Sequence, residues 1–229
     1  MYRKNAKKRL SSRRSKRRIT TFRRRSKYAR RRTNLVASSP FTGIASNVKT
    51  VLKYHTRFPL SLTSGVINDY KFNLNSLFDP DLTAVGHQPL YFDQLSAIYS
   101  RYRVWKVSWV IKPISDSSSS CETTVVPTNS STSFSNADTA AEYPRAVFKQ
   151  WNGSLPTTFR GWSYLPSLTG VTPSAYRSDD RFQAGVTESP IEVMPLHIVN
   201  ISSSSINIIV DVQLKFHCEF FDPYAIGGS

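Results

Sequence analysis

The first thirty-two residues contain no aspartate and no glutamate. The whole chain of 229 residues has two cysteines and nine glycines, and it has no apolar run of eighteen or more. Each shortage closes a class of explanation. Without a long apolar run there is no candidate transmembrane helix. A basic N-terminus with no apolar segment behind it argues against a secretory signal. Cys121 and Cys218 are too few for a disulfide framework in a chain of this size and read as two reduced thiols. Asn129, Asn152 and Asn200 each open an Asn-x-Ser triplet, which reads as coincidence in a Ser-rich chain without a secretion signal. The glycines form neither a phosphate loop nor a Gly-x-Ser-x-Gly elbow.

What is present begins with charge. Between Met1 and Arg32 stand seventeen cations: Arg3, Lys4, Lys7, Lys8, Arg9, Arg13, Arg14, Lys16, Arg17, Arg18, Arg23, Arg24, Arg25, Lys27, Arg30, Arg31 and Arg32. From Thr33 to Ser229, fourteen bases face all fifteen acids. The formal charge of +16 thus divides into an arm of +17 and a body of −1. So many like charges with so few apolar residues build no core, and residues 1–32 are expected to be disordered in solution. A polyanion reverses that balance, because each Lys or Arg that neutralises a phosphate releases a condensed counterion, whatever the base sequence. Arginine predominates, and its planar fork fits pairs of phosphate oxygens. Tyr2, Phe22 and Tyr28 are interleaved and can stack on unpaired bases, which favours a single strand. Leu10, Ile19 and Phe22 make no amphipathic face, so no membrane partner is expected. The clusters "KKR", "RRSKRR" and "RRRSKYARRR" also suit nuclear import factors.

The body alternates like a sheet. In "SINIIVDVQLKFHCEFFDP", apolar residues from Ile206 to Phe220 take every second position, the period of a strand with one buried face. On 48–62, Leu52, Tyr54, Phe58, Leu60 and Leu62 share a face opposite Lys49, Lys53 and Arg57. In "VINDYKFNLN" the face is Val66, Tyr70, Phe72 and Leu74; in "RYRVWKVSWVIKP" it is Trp105, Val107, Trp109 and Ile111. Weaker strand signals cover 122–126, 145–151, 157–165 and 191–201, and a single helix is expected over 92–100. Polar loops span 115–122 and 127–144. About eight strands imply an antiparallel sandwich, jelly roll or barrel over 48–229, reached from the arm by a linker at 33–47.

The stretch "FDPDLTAVGHQPLYFD" gathers Asp79, Asp81, His87 and Asp93, residue types that bind metals or carry acid–base chemistry. Metal-ligand spacing such as His-Glu-x-x-His is missing from the chain. Each acid has a backbone explanation instead: Asp79 precedes a proline, Gly86 gives a corner, and Asp93 suits the N-cap of the helix. A divalent cation here is the minor reading. His217 and Cys218 are neighbours on a strand and face opposite sides, so they do not form a nucleophile–base pair. His55 and His197 have no acidic neighbour in sequence. No catalytic residue, no metal and no cofactor is assigned, and the chain is read as not an enzyme. Trp151, Trp162 and Tyr164 read as core first and as a nucleotide-stacking wall second.

The segment "GHQPLYFDQLSAIYSRYRVWKVSW" is similar to the Gly-His-Gln-Pro … Phe-Asp-Gln-Leu … Tyr … Tyr-x-Val stretch of capsid proteins from circular, Rep-encoding single-stranded DNA viruses, the circovirus-like group. "YSRYRVWKVSWVIKP" and the terminal "INIIVDVQLKFHCEFFDP" resemble two strands of the same proteins. The resemblance implies an all-β fold, a single eight-stranded antiparallel jelly roll, that assembles into an icosahedral shell of about sixty copies by closed symmetry. It also implies that 50–62 and 66–77 lie in facing sheets, although "TSG" alone would suggest a hairpin. Implied partners are genomic single-stranded DNA, further copies of the chain, nuclear import factors and a cell receptor. The implied locations are the virion and the host nucleus during assembly. Coat proteins of small RNA viruses also pair an Arg-rich arm with a jelly roll. A ribosomal protein would carry its positive charge into the body, which is here −1.

Overall fold

The computed structural model describes residues 44–83, 86–155 and 157–225. All seventeen arm cations, and most of the linker, lie outside the described residues.

Among the described residues nine strands and four short helices follow in order: β1 (Asn47–Leu62), β2 (Asn68–Asn73), α1 (Phe92–Ser96), β3 (Tyr99–Ile114), β4 (Cys121–Pro127), α2 (Ala137–Glu142), β5 (Val147–Trp151), β6 (Phe159–Tyr164), α3 (Leu165–Thr169), α4 (Pro173–Ser178), β7 (Gln183–Gly185), β8 (Pro195–Ser202) and β9 (Ile206–Pro223). The first sheet runs β1-β9-β3-β6, with β7 added against β3, and the second runs β2-β8-β4-β5. Every pairing between these strands is antiparallel. The chain moves from one sheet to the other between β1 and β2, β2 and β3, β3 and β4, β5 and β6, β7 and β8, and β8 and β9. Such an interleaved pair of four-stranded sheets is a jelly roll. Residues 63–65 are therefore a corner between sheets and not a hairpin turn.

The period-two pattern explains where the core sits. Even-numbered side chains of β9 from Ile208 to Phe220 are at most 2% exposed, and they meet Leu52 and Tyr54 of β1 and Val104, Val107, Trp109 and Ile111 of β3. Phe72, Cys121, Val125, Trp151, Leu196 and Ile198 close the core from the second sheet. Burying each large apolar side chain contributes about 1.5–3 kcal/mol. Phe58 of β1 stacks on Tyr70 of β2 with ring centroids 4.1 Å apart, a contact between the sheets.

Several expectations need correction. A β-bulge between Val104 and Lys106 shifts the register of β3. Val104 therefore takes the inward place expected for Trp105, which turns half out to the opposite face. Val66 lies outside β2 and is 54% exposed. The helix expected over 92–100 stops at Ser96, because Tyr99 already begins β3. Asp93 is not its N-cap: Tyr91 holds that place, with φ of 72° and no capping side chain. The strand expected over 191–201 begins only at Pro195, and 165–182 forms α3, α4 and a 3-10 turn at Asp180–Phe182 that the sequence reading missed.

The segment 128–146 is not a free polar loop. It lies on the outward side of the second sheet and makes a satellite core, with Ala140, Phe134 and Tyr143 packed on Val126 and Val199. Lys71 Nζ donates to the Ser131 carbonyl (2.7 Å) and to Ser133 Oγ (2.7 Å). The Phe134 N–H donates to Asp69 (3.2 Å), whose carboxylate is 2.9 Å from Nδ1 of the fully buried His197. His197 does have an acidic partner, then, contributed by the neighbouring strand β2 and invisible in its own stretch of sequence.

Cys121 and Cys218 are separate buried thiols. Burial pushes the Cys218 thiol up to about 12 and raises that of Cys121. Since the thiolate is the reacting species, native protein at pH 8 is expected to take up a thiol reagent at neither residue within minutes, and at both after denaturation. Prompt labelling of the native protein would contradict the packing around β4 or β9.

Candidate nucleic-acid interface

Sheet order decides where the body's charge goes. On β1 the outward residues include Lys49, Lys53 and Arg57, at alternate positions of the strand. Their β9 partners are Glu219, Lys215 and Asp211. β3, on the other side of β9, presents Arg101, Arg103, Lys106 and Lys112, and β6 presents Arg160. Nine of the fourteen basic residues after Arg32 thus stand on one face of one sheet, with two of the fifteen acids. The rest of the body keeps five bases against thirteen acids. A body of −1 is strongly polarised.

Local geometry sharpens that asymmetry. Lys53 lies directly opposite Lys215, Lys215 opposite Ser108, and Ser108 opposite Trp162, a row four strands wide. Neighbouring strands are about 4.8 Å apart, so these ammonium groups repel with no acid in their row. Folding alone gives no reason to keep such a row. Asp211, one of the two acids, is engaged by His55 at 3.1 Å. The other, Glu219, is buried and accepts from Asn47 Nδ2 (3.1 Å) and Trp105 Nε1 (3.1 Å).

One end of the face is closed. Tyr176 of α4 donates its hydroxyl to the Val104 carbonyl (2.9 Å), and its ring lies 5.4 Å from that of Trp105. Arg103 is 5% exposed there and donates to the Arg177 carbonyl (2.7 Å) and to Gln183. Burial lowers its guanidinium pKa, against the opposing pull of Glu219. Arg103 is thus part of the α4 packing. The open surface carries Lys49, Lys53, Arg57, Lys106, Lys112, Arg160 and Lys215.

The three aromatics singled out in sequence separate. Trp151 is core: it is 3% exposed and donates Nε1–H to Thr123 Oγ1 (2.9 Å). Trp162 is 63% exposed on the basic face, with Lys106 Nζ 4.4 Å from its ring centroid. Tyr164 is half-buried on the same strand, opposite Lys106. A base can stack on the Trp162 indole, whose face already suits a cation.

The acidic stretch resolves into a turn. Asp81 is buried and accepts from Tyr70 Oη (2.8 Å), Thr83 N (3.1 Å) and Thr83 Oγ1 (2.8 Å). Asp79 donates its backbone N–H to Ser76 Oγ (2.9 Å), and burial, then the nearby Asp81 charge, raise its carboxyl pKa. His87 stacks on Tyr54 at 4.7 Å. Gly86 is required by close approach: a Cβ there would stand 2.7 Å from Asp81 Cβ and 2.9 Å from Tyr54 Oη. Among the described residues no group of three or more His, Cys, Asp and Glu is placed to hold a metal ion. No helix among them is long and apolar enough to cross a membrane.

Sequence reading found the cations of β1 but not the face, because residues from 49 to 215 meet only through the order β1-β9-β3-β6.

No family model and no curated protein sequence matches the chain. Solved structures with a similar fold include the 60-mer capsid protein of beak and feather disease virus, a circovirus, at 14% identity and TM-score 0.43, over 81% of this chain and 100% of that one. A second is the semi-empty virus-like particle of a nodavirus of the prawn Macrobrachium rosenbergii, at 16% identity and TM-score 0.46, over 80% and 97%. A third is Desmodium yellow mottle tymovirus, at 10% identity and TM-score 0.42, over 81% and 95%.

Proposed function

We propose that this chain is the coat protein of a small single-stranded DNA virus of the circovirus-like kind, whose copies close into a shell around the genome. The observation that carries the reading is the division of charge. A jelly roll neutral in sum has one outward face with seven more cations than acids, and that sheet's edge strand β1 continues the chain from the Arg-rich arm. A sum near zero lets many copies approach one another, while the basic face and the arm bind the polyanion.

In this reading the seventeen arm cations, from Arg3 to Arg32, neutralise phosphate, and Tyr2, Phe22 and Tyr28 add stacking on unpaired bases. Some sixty arms balance roughly one thousand phosphates, the scale of a small circular genome. Before assembly the same basic clusters serve nuclear import. The acidic remainder of the body, including the pinned segment 128–146, faces the outside, where a receptor is met.

Purified full-length protein viewed by negative-stain electron microscopy is expected to form uniform small shells holding nuclease-protected DNA; dispersed monomers would contradict the proposal. Replacing Lys53, Lys106 and Lys215 together by Glu is expected to leave the shells intact. It should lower the log–log salt slope of single-stranded DNA binding by about 2, since each lost phosphate contact removes about 0.7. An unchanged slope would remove the sheet face from the interface.

A further inference from the structure

We propose that the β6 edge of the sandwich holds a binding cavity for one nucleoside monophosphate unit, either free or within a single strand. The proposal deepens the nucleic-acid reading above and rests on it. The cavity has a volume of about 450 Å³, within the usual range for small-molecule sites of about 300–1,000 Å³.

Two polar groups there are unexplained by the fold. Trp109 Nε1 and Ser163 Oγ are buried without a hydrogen-bond partner among the described residues, both residues are 2% exposed, and both line this cavity. A buried polar group left unpaired costs about 1–3 kcal/mol, so two at one place call for a shared partner. Gly161 sets the indole's position. A Cβ at Gly161 would stand 2.2 Å from Trp109 Cζ2 and 2.7 Å from Cε2, the atom bonded to Nε1. Only a glycine lets this edge of the ring lie so close to the strand that lines the cavity.

The remaining lining defines the ligand class. Arg145, and at the β6 rim Arg160, Trp162 and Tyr164, which turn to the outward face, make the margin of the cavity basic and aromatic, and no carboxylate among the described residues belongs to it. Indole N–H and guanidinium groups only donate, while the Ser163 and Tyr164 hydroxyls do either. The ligand must therefore bring acceptor oxygens and negative charge, and the two arginines suit a phosphate. The aromatic surfaces call for a flat ring beside that phosphate. Arg145 adopts φ of 70°, a strained conformation for a residue other than glycine, and its Nη2 donates to the Ser167 carbonyl at 3.2 Å. Arg160 and Trp162 belong both to this wall and to the basic face, so a strand lying on the face reaches the cavity without a break.

The test uses the full-length chain at about 0.5 M salt, where exposed charges are screened. It is titrated with thymidine monophosphate, with a five-residue thymidine oligonucleotide and with inorganic phosphate, following tryptophan fluorescence. Saturable quenching by the mononucleotide, weakened about tenfold in Trp109→Phe and several-fold in Ser163→Ala, is the expected result. Saturation by the oligonucleotide alone, with the same losses in both variants, supports the strand as the source. Inorganic phosphate competing as well as the mononucleotide would overturn the nucleotide assignment. So would the absence of saturable binding, or a Ser163→Ala chain that melts and binds like the parent. Shells that still protect DNA in that last case would leave the coat-protein reading standing and sink the cavity alone.

Discussion

Removal of residues 1–32 is expected to lower the log–log salt slope of single-stranded DNA binding by as much as about 12, at about 0.7 per phosphate released by seventeen cations. The truncated body should not lose binding altogether. Seven cations remain open on the outward face of the first sheet, which leaves a residual slope of about 5 if all of them reach phosphate. Fold and assembly should survive, because every strand among the described residues begins at or beyond Asn47. Shells would then form with little or no protected DNA. Packaging at the parental level would refute the division of labour between arm and body. A body with no residual binding would refute the role of the sheet face.

Gly161→Ala is expected to be the most damaging of the mild substitutions. Its added carbon would overlap the Trp109 ring at 2.2 Å, and Trp109 is a core residue held between Leu214 and Gly161 in register. Overpacking of this kind costs about 1–3 kcal/mol and sometimes more. At about 2–4 °C per kcal/mol for a domain of this size, the melting temperature should fall by roughly 6 °C, and by about 12 °C at the upper end. Gly170→Ala is the control. Gly170 ends α3 with φ of 71° and has nothing within 4 Å of an added Cβ, so only the cost of the left-handed backbone, about 1 kcal/mol, applies. Thermal melts of the two variants, followed by circular dichroism, separate collision from conformation. Equal melting temperatures would mean that the indole does not lie against β6.

Much of the fold was legible because alternation is a local property. The inward residues of β9 and β1 were readable from period two alone, and the strands that carry them run long enough to repeat it. The bulge at Val104/Lys106 defeated the same rule on β3, since one extra residue reverses the faces, and the adjacent apolar residues Val104 and Trp105 suit the inward place equally. Helices α2, α3 and α4 have five or six residues each, too few for a helical period to show. The corner at 63–65 came from family resemblance and not from its residues, whose local chemistry equally suits a hairpin.

The candidate site divides in the same way. Charge in the arm is a matter of composition and could be read directly. Charge on the body is a matter of pairing: Lys53, Lys106, Arg160 and Lys215 become neighbours only through register. Asp69 and His197 are 128 positions apart yet touch, which no spacing rule reports. Asp79 and Asp81 offered the opposite case, acids close in sequence of which Asp81 is taken up by hydrogen bonds from Tyr70 and Thr83.

A reconstruction of the assembled particle by electron cryomicroscopy tests the central claim most directly. The outward face of β1, β9, β3 and β6 should line the interior, with nucleic-acid density over Lys53, Lys215 and Trp162. Particles in which that face points to the solvent, with the enclosed nucleic acid lying against the acidic side of the body, would contradict the account.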